Sequence, residues 1–113
     1  MIPVLAADEL RLVLTTCADL ARAEACARAL LEARLASCVS IVPGCKSMYW
    51  WQGELQTSSE CQLLIKTALP KLVELARQLP GLTGFEVPEL LALPISEAGT
   101  EYLDWLLVKL RSP

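Results

Sequence analysis

Apolar positions along the chain recur with two periods, and the places where the period changes mark the elements. Residues 10–16 are short, apolar and β-prone, which predicts a strand; residues 1–9 before it read as a frayed tail. Asp19 is a helix-capping residue type. After it Leu20, Ala23, Ala27, Leu30 and Leu31 recur at helical spacing, with Arg22, Arg28, Glu32 and Arg34 on other faces. This predicts a first helix to about Leu35, with an alanine-rich stripe suited to close approach on a sheet.

Residues 38–51 read as a long extended stretch that Pro43-Gly44 interrupts as a bulge. Beyond the break, Lys46, Met48 and Trp50 share one face, and Ser47, Tyr49 and Trp51 share the other. Gln52-Gly53 predicts a hairpin turn. Residues 54–67 then return, with Cys61, Leu63 and Ile65 towards the core and Glu60, Gln62, Leu64 and Lys66 away from it. Leu69-Pro70 opens a second helix whose stripe is Leu72, Leu75, Ala76 and Leu79, and Pro80-Gly81 is expected to stop it. A loop over 82–87 and Pro88 lead to a fourth strand at 89–95 and a turn at 96–99. Thr100 is placed to cap a third helix that turns Leu103, Leu106, Leu107 and Leu110 inward. The order β-α-β-β-α-β-α is an α+β fold: a ferredoxin-like βαββαβ sandwich with an added C-terminal helix, one domain over residues 10–113.

Composition narrows the function. At 113 residues and 54% hydrophobic content the chain builds one core without disulfides. The net charge is -3 and the ten basic residues are spread singly, which argues against nucleic acid as a partner. No apolar run reaches a membrane span of roughly 18 residues. Residues 1–10 carry Asp8 and Glu9 and no basic stretch, so a cytoplasmic protein is expected. The cysteines Cys17, Cys26, Cys38, Cys45 and Cys61 are odd in number and form no CxxC pair, so all five are expected reduced.

Candidate chemistry is sparse. Glu86 and Glu89 flank Pro88 and could hold a hard cation through oxygen, or stand as solvated loop charges. Cys17, just before the first helix, could bind a soft metal or simply pack in a turn. Lys66 shares a face with Glu60 and could meet an anionic ligand. Tyr102 and Trp105 lie on one face of the third helix. We take Glu60, Lys66, Tyr102 and Trp105 as a candidate small-ligand set in a cleft between subunits, and Cys17, Glu86 and Glu89 as a candidate metal set. No histidine is present, so neither a histidine base nor a Ser-His-Asp triad exists, and no phosphate-binding glycine loop occurs. A binding or signalling module fits better than an enzyme. The alternative is a small enzyme using carboxylates and Lys66 in clefts between subunits.

Length supplies the argument for assembly. Residues 38–51 would span roughly 45 Å at about 3.3 Å per residue. A compact domain of about 100 residues is roughly 35 Å across. The hairpin must overhang or bend, exposing Met48, Tyr49, Trp50 and Trp51 and unpaired backbone edges. A homotrimer that pairs these hairpins around a threefold axis would cover them.

Several short segments share one further property. They are Leu14-Thr15-Thr16, Arg34-Leu35-Ala36-Ser37-Cys38-Val39, Ile41-Val42-Pro43-Gly44, Tyr49-Trp50-Trp51, Gly53-Glu54-Leu55, Leu64-Ile65-Lys66-Thr67, Glu86-Val87-Pro88-Glu89-Leu90 and Tyr102-Leu103-Asp104-Trp105. In that order and spacing, over about residues 10 to 111, the chain resembles the CutA divalent-cation tolerance family. The resemblance implies a ferredoxin-like homotrimer, related in architecture to the nitrogen-regulatory PII signalling proteins. It also implies a response to metal ions, with a divalent ion such as copper as ligand. The chain departs from the family pattern in two places. Thr83-Gly84-Phe85-Glu86 stands where the family often carries His-Pro-Tyr-Glu, and the family's metal-linked cysteine falls on Thr15, two residues before Cys17. A metal would find only thiolate, carboxylate or carbonyl ligands here, so copper or zinc binding is expected to be weak.

Overall fold

The computed structural model describes residues 3–111. Its elements in order are β1 (Val4–Ala6), β2 (Leu10–Cys17), α1 (Leu20–Glu32), β3 (Cys38–Trp51), β4 (Glu54–Ala68), α2 (Leu72–Thr83), β5 (Leu91–Pro94), β6 (Glu97–Gly99) and α3 (Thr100–Lys109). A four-stranded antiparallel sheet runs β3-β4-β2-β5, and β1 pairs with β6 in a second, two-stranded sheet. The segment from β2 to β5 is the ferredoxin-like βαββαβ unit.

One face of the sheet carries the main core. Val13, Cys17, Cys61, Leu63 and Ile65 meet Ala23, Cys26 and Leu30 of α1 and Leu75 and Leu79 of α2. Small residues on α1 let it lie close to the strands. Its start is fixed as expected: the Asp19 carboxylate accepts from the Arg22 backbone N–H at 2.8 Å. Asp19→Ala should lower the free energy of urea unfolding by about 1 kcal/mol. An unchanged midpoint would show that the cap adds nothing here.

The ends of α1, α2 and the fourth strand differ from the sequence reading. The helix α1 stops at Glu32 rather than near Leu35, because Arg34 turns left-handed at φ 59° and drops Leu35 into the core. Pro80 does not end α2. It removes one hydrogen bond next to solvent-facing Ala76, while buried Leu79 and Thr83 hold the last turn, and left-handed Gly84 (φ 82°) ends the helix. Ala76 is accordingly exposed and not part of the buried stripe. The fourth strand shortens to Leu91–Pro94, since Leu90 leaves the ladder to pack on the core.

The tail and the expected 96–99 turn are also corrected. They are β1 and β6, and each gives the other its hydrogen bonds. The Ala7 N–H donates to the Ser96 carbonyl at 2.9 Å and the Thr100 N–H to the Pro3 carbonyl at 3.1 Å. Gly99 therefore occupies the cap position of α3, and Thr100 is its first residue. Met1 and Ile2 of the tail lie outside the described residues.

Helix α3 covers the second face of the sheet at one end only. Its Leu103, Leu106 and Leu110 bury Leu10 and Ala68. Beyond it Leu12, Leu14, Leu64, Leu91 and Leu93 share that face by register and are half-buried or exposed among the described residues. The β3–β4 hairpin runs past the helices, and the described chain measures 47 × 31 × 22 Å. Its turn is left-handed at Gln52 (φ 49°) and Gly53 (φ 80°), as a tight two-residue hairpin requires.

Candidate functional site

The bulge at Pro43-Gly44 decides which side chains meet. Before it Cys38 faces Lys66 and Ser40 faces Leu64; after it Cys45 faces Glu60 and Tyr49 faces Gln56. The shift by one residue moves the odd-numbered positions of β3 onto the β4 face that carries Glu60. Tyr49 and Trp51 therefore lie with Gln56 and Glu60, while Met48 and Trp50 turn to the opposite face.

A cleft of about 610 Å³ opens on the Tyr49–Trp51 side. Glu60, Glu86 and Glu89 supply three carboxylates, and Tyr49, Trp51 and Phe85 supply three rings. Among the described residues no lysine or arginine lines it. The Thr16 hydroxyl donates to Glu60 Oε2 at 3.5 Å. Ser58, between Gln56 and Glu60 on the same face, keeps a buried hydroxyl without a partner. The far wall is placed by the end of α2. Thr83 donates to the Leu79 carbonyl at 2.8 Å and accepts from the Phe85 N–H at 3.3 Å, so the loop over 85–89 leaves the helix towards β4.

Within one chain the ligand set expected between subunits lies in two places. Glu60 belongs to this cleft, whereas Lys66 lies six residues along β4, about 20 Å away at roughly 3.3 Å per residue. Lys66 and Tyr102 instead each reach Cys38, and Tyr102 carries Trp105. Its Nζ donates to Ser40 Oγ at 2.5 Å and lies 3.8 Å from Cys38 Sγ. Burial first, and then the neighbouring Cys38, pushes the Tyr102 hydroxyl pKa up. Trp105 stacks on Tyr102 with ring centroids 5.6 Å apart.

The metal set splits as well. Glu86 and Glu89 line the cleft, but Cys17 is fully buried against Cys26 and Cys61, its pKa pushed up to about 12 by burial first and then by those thiols. Thr15, where the resemblance places the family's metal-linked cysteine, is also buried, with an unpartnered hydroxyl. Among the described residues no three cysteine or carboxylate side chains converge to hold a metal ion. The expected interface quartet is exposed, Trp50 at 74% and Trp51 at 61%, but the alternation puts only Met48 and Trp50 on the side away from the cleft. Phe85 was missed as a cleft wall, because nothing in its spacing relates it to β4.

A family model of the CutA1 divalent ion tolerance protein matches residues 11–109. The chain belongs to this family. A divalent-cation tolerance protein CutA from Thermus thermophilus is 50% identical over 80 residues, covering 71% of this chain and 78% of the relative. The structure of CutA from Synechococcus elongatus superposes with a TM-score of 0.92 at 36% identity, over 96% of both chains. CutA from Archaeoglobus fulgidus, named a periplasmic divalent cation tolerance protein, matches with a TM-score of 0.87 at 31% identity, over 90% of this chain and 99% of that one. The Thermus and Archaeoglobus relatives are named for divalent-cation tolerance. Among the described residues no helix is long and apolar enough to cross a membrane.

Proposed function

We propose that this CutA family member is a homotrimeric binding module that takes a small organic cation in the cleft between the hairpin and the loop over 85–89. The carrying observation is the cleft itself: three carboxylates and three aromatic rings, with no basic residue among them. Carboxylates pair with an ammonium, and rings attract it through their faces, at about 0.5–2 kcal/mol each. The unpartnered Ser58 hydroxyl supports a ligand that also carries a hydrogen-bonding group. CutA from Synechococcus elongatus has been solved with Bis-Tris, a hydroxylated amine. The carboxylates are too spread to chelate one bare ion, which supports only weak copper or zinc binding.

Assembly rests on the uncovered leucines of the second sheet face and on two free sheet edges, β3 and β5. Pairing of unlike edges closes into a ring, and three copies are the number the family resemblance implies. Within one chain Glu60 and Lys66 lie far apart, so the alternative enzyme would have to pair them across subunits. Five free thiols support a reducing compartment, the cytoplasm.

Calorimetric titration of metal-free protein with Bis-Tris, copper and zinc tests this. Bis-Tris should bind saturably and quench tryptophan fluorescence. Glu60→Gln or Trp51→Ala should weaken it about tenfold, a loss near 1.4 kcal/mol. Copper and zinc should bind no tighter than micromolar. Absence of Bis-Tris binding, or submicromolar stoichiometric copper binding that survives removal of every cysteine, would overturn the reading.

A further inference from the structure

Cys38 and Lys66 are direct partners across the β3–β4 ladder. Opposed residues of antiparallel strands hold their side chains close on one face. Lys66 Nζ lies 3.8 Å from Cys38 Sγ. No carboxylate claims the amine: among the described residues the one ion pair is Arg77 with Glu74, on α2. In the single chain Cys38 and Lys66 are both half-buried, within reach of a small oxidant, beside the Leu12 and Leu64 that the proposed trimer covers. Cys17, Cys26 and Cys61 are sealed in the core, and Cys45 stands opposite the carboxylate of Glu60. An accessible sulfur beside a cation is the setting of reactive cysteines.

We propose that Cys38 is a peroxide-modification site whose oxidised sulfur is captured by Lys66 in a reversible sulfur–nitrogen cross-link. The Cys38 thiol attacks hydrogen peroxide. The O–O bond breaks, sulfur gives up two electrons to become a sulfenic acid, and one water leaves. Sulfenic acids condense with a nearby nitrogen to give a sulfenamide. The Lys66 amine, having released its ammonium proton to water, attacks the sulfur. The S–N bond forms as the S–O bond breaks, and the hydroxyl departs as water with a proton from the nitrogen. One thiol, one amine and one peroxide thus give one S–N bond and two waters, and the chain is lighter by two hydrogens. The link ties β3 to β4, frees Ser40 and removes the Lys66 charge beside Tyr102 and Trp105. Two equivalents of a small thiol reverse it, leaving as their disulfide.

The test is limiting hydrogen peroxide on the intact protein, followed by thiol alkylation, intact mass and tryptic mapping. Before alkylation the mass should fall by two hydrogens, and alkylation of the unfolded chain should then add four groups instead of five. Trypsin should cut after Arg34 and Lys46 but no longer after Lys66, and the peptide that begins at Leu35 should be joined to the one that contains Lys66. A thiol reductant should restore both. Cys38→Ser should abolish the link. Lys66→Arg, which keeps the cation without the amine, should leave a sulfenic acid at Cys38 that dimedone traps. Sulfinic acid at Cys38 without a link, a bridge that retains oxygen, a disulfide to another cysteine, or first oxidation at Cys45 would each overturn the proposal.

Discussion

Leu64→Glu should turn a species of three chains into single chains of 12.4 kDa by light scattering. Leu64 sits mid-strand on β4, opposite Leu14 of β2 and Ser40 of β3. It points away from the α1–α2 core, so the fold of one chain does not depend on it. In the proposed trimer it lies under the other copies with Leu12, Leu14, Leu91 and Leu93. A carboxylate there would have one cation in reach, Lys66 at Ser40, and burying that pair in place of a leucine still costs several kcal/mol of desolvation. A loss of about 4 kcal/mol is close to a thousandfold in the assembly constant. Three copies would also bring three like charges towards one axis. Leu64→Met, similar in volume, should leave the trimer intact. Trp50→Ala, on the side of the hairpin away from the cleft, should weaken assembly by about 2 kcal/mol and leave Bis-Tris binding unchanged. A soluble monomer of the unmodified protein at micromolar concentration would refute the trimer, and a trimeric Leu64→Glu protein would refute the face.

The main sheet and helices were legible because their signals are local. Asp19 announces a helix start, Gln52-Gly53 a tight turn, and Pro43-Gly44 a bulge, each through its own backbone chemistry. The pair β1–β6 was not legible, since three residues show no period and each strand exists only through its partner. Pro80 misled because its usual cost was weighed without the buried Leu79 and Thr83 that outweigh it. For the site, residue types were legible and neighbourhoods were not. Glu60 and Lys66 do share a face, and the six residues between them, legible in the sequence, already set them about 20 Å apart along one strand. The meeting of Tyr49 and Trp51 with Glu60 depends on the one-residue shift at the bulge. The pairing of Cys38 with Lys66 likewise needs the ladder register, which strand assignment alone does not supply.

Raising the pH from below 9 to above 12 should strip about 4 kcal/mol from the folding free energy through Cys17 alone. Its thiol pKa rises from 9.0 to about 12 in the fold, through burial first, then Cys26 and Cys61. Below pH 9 both folded and unfolded chains keep the proton, and stability is full. Between 9 and 12 only the unfolded chain loses it, so stability falls as pH rises; above 12 both have lost it and the loss is complete. Three pKa units at about 1.4 kcal/mol each give the magnitude. Cys26 shifts in the same direction, again chiefly through burial, and adds to the slope. Urea unfolding at several pH values, at one protein concentration, reads the effect. Cys17→Ala should start about 1 kcal/mol less stable at neutral pH, because a small cavity replaces the sulfur. It should then fall less steeply than the parent above pH 9. Lysines and tyrosines also titrate in this window, but they do so in both proteins, so the difference between the two curves isolates the thiol. Parallel curves would mean that the buried Cys17 ionises no differently from a thiol in the unfolded chain.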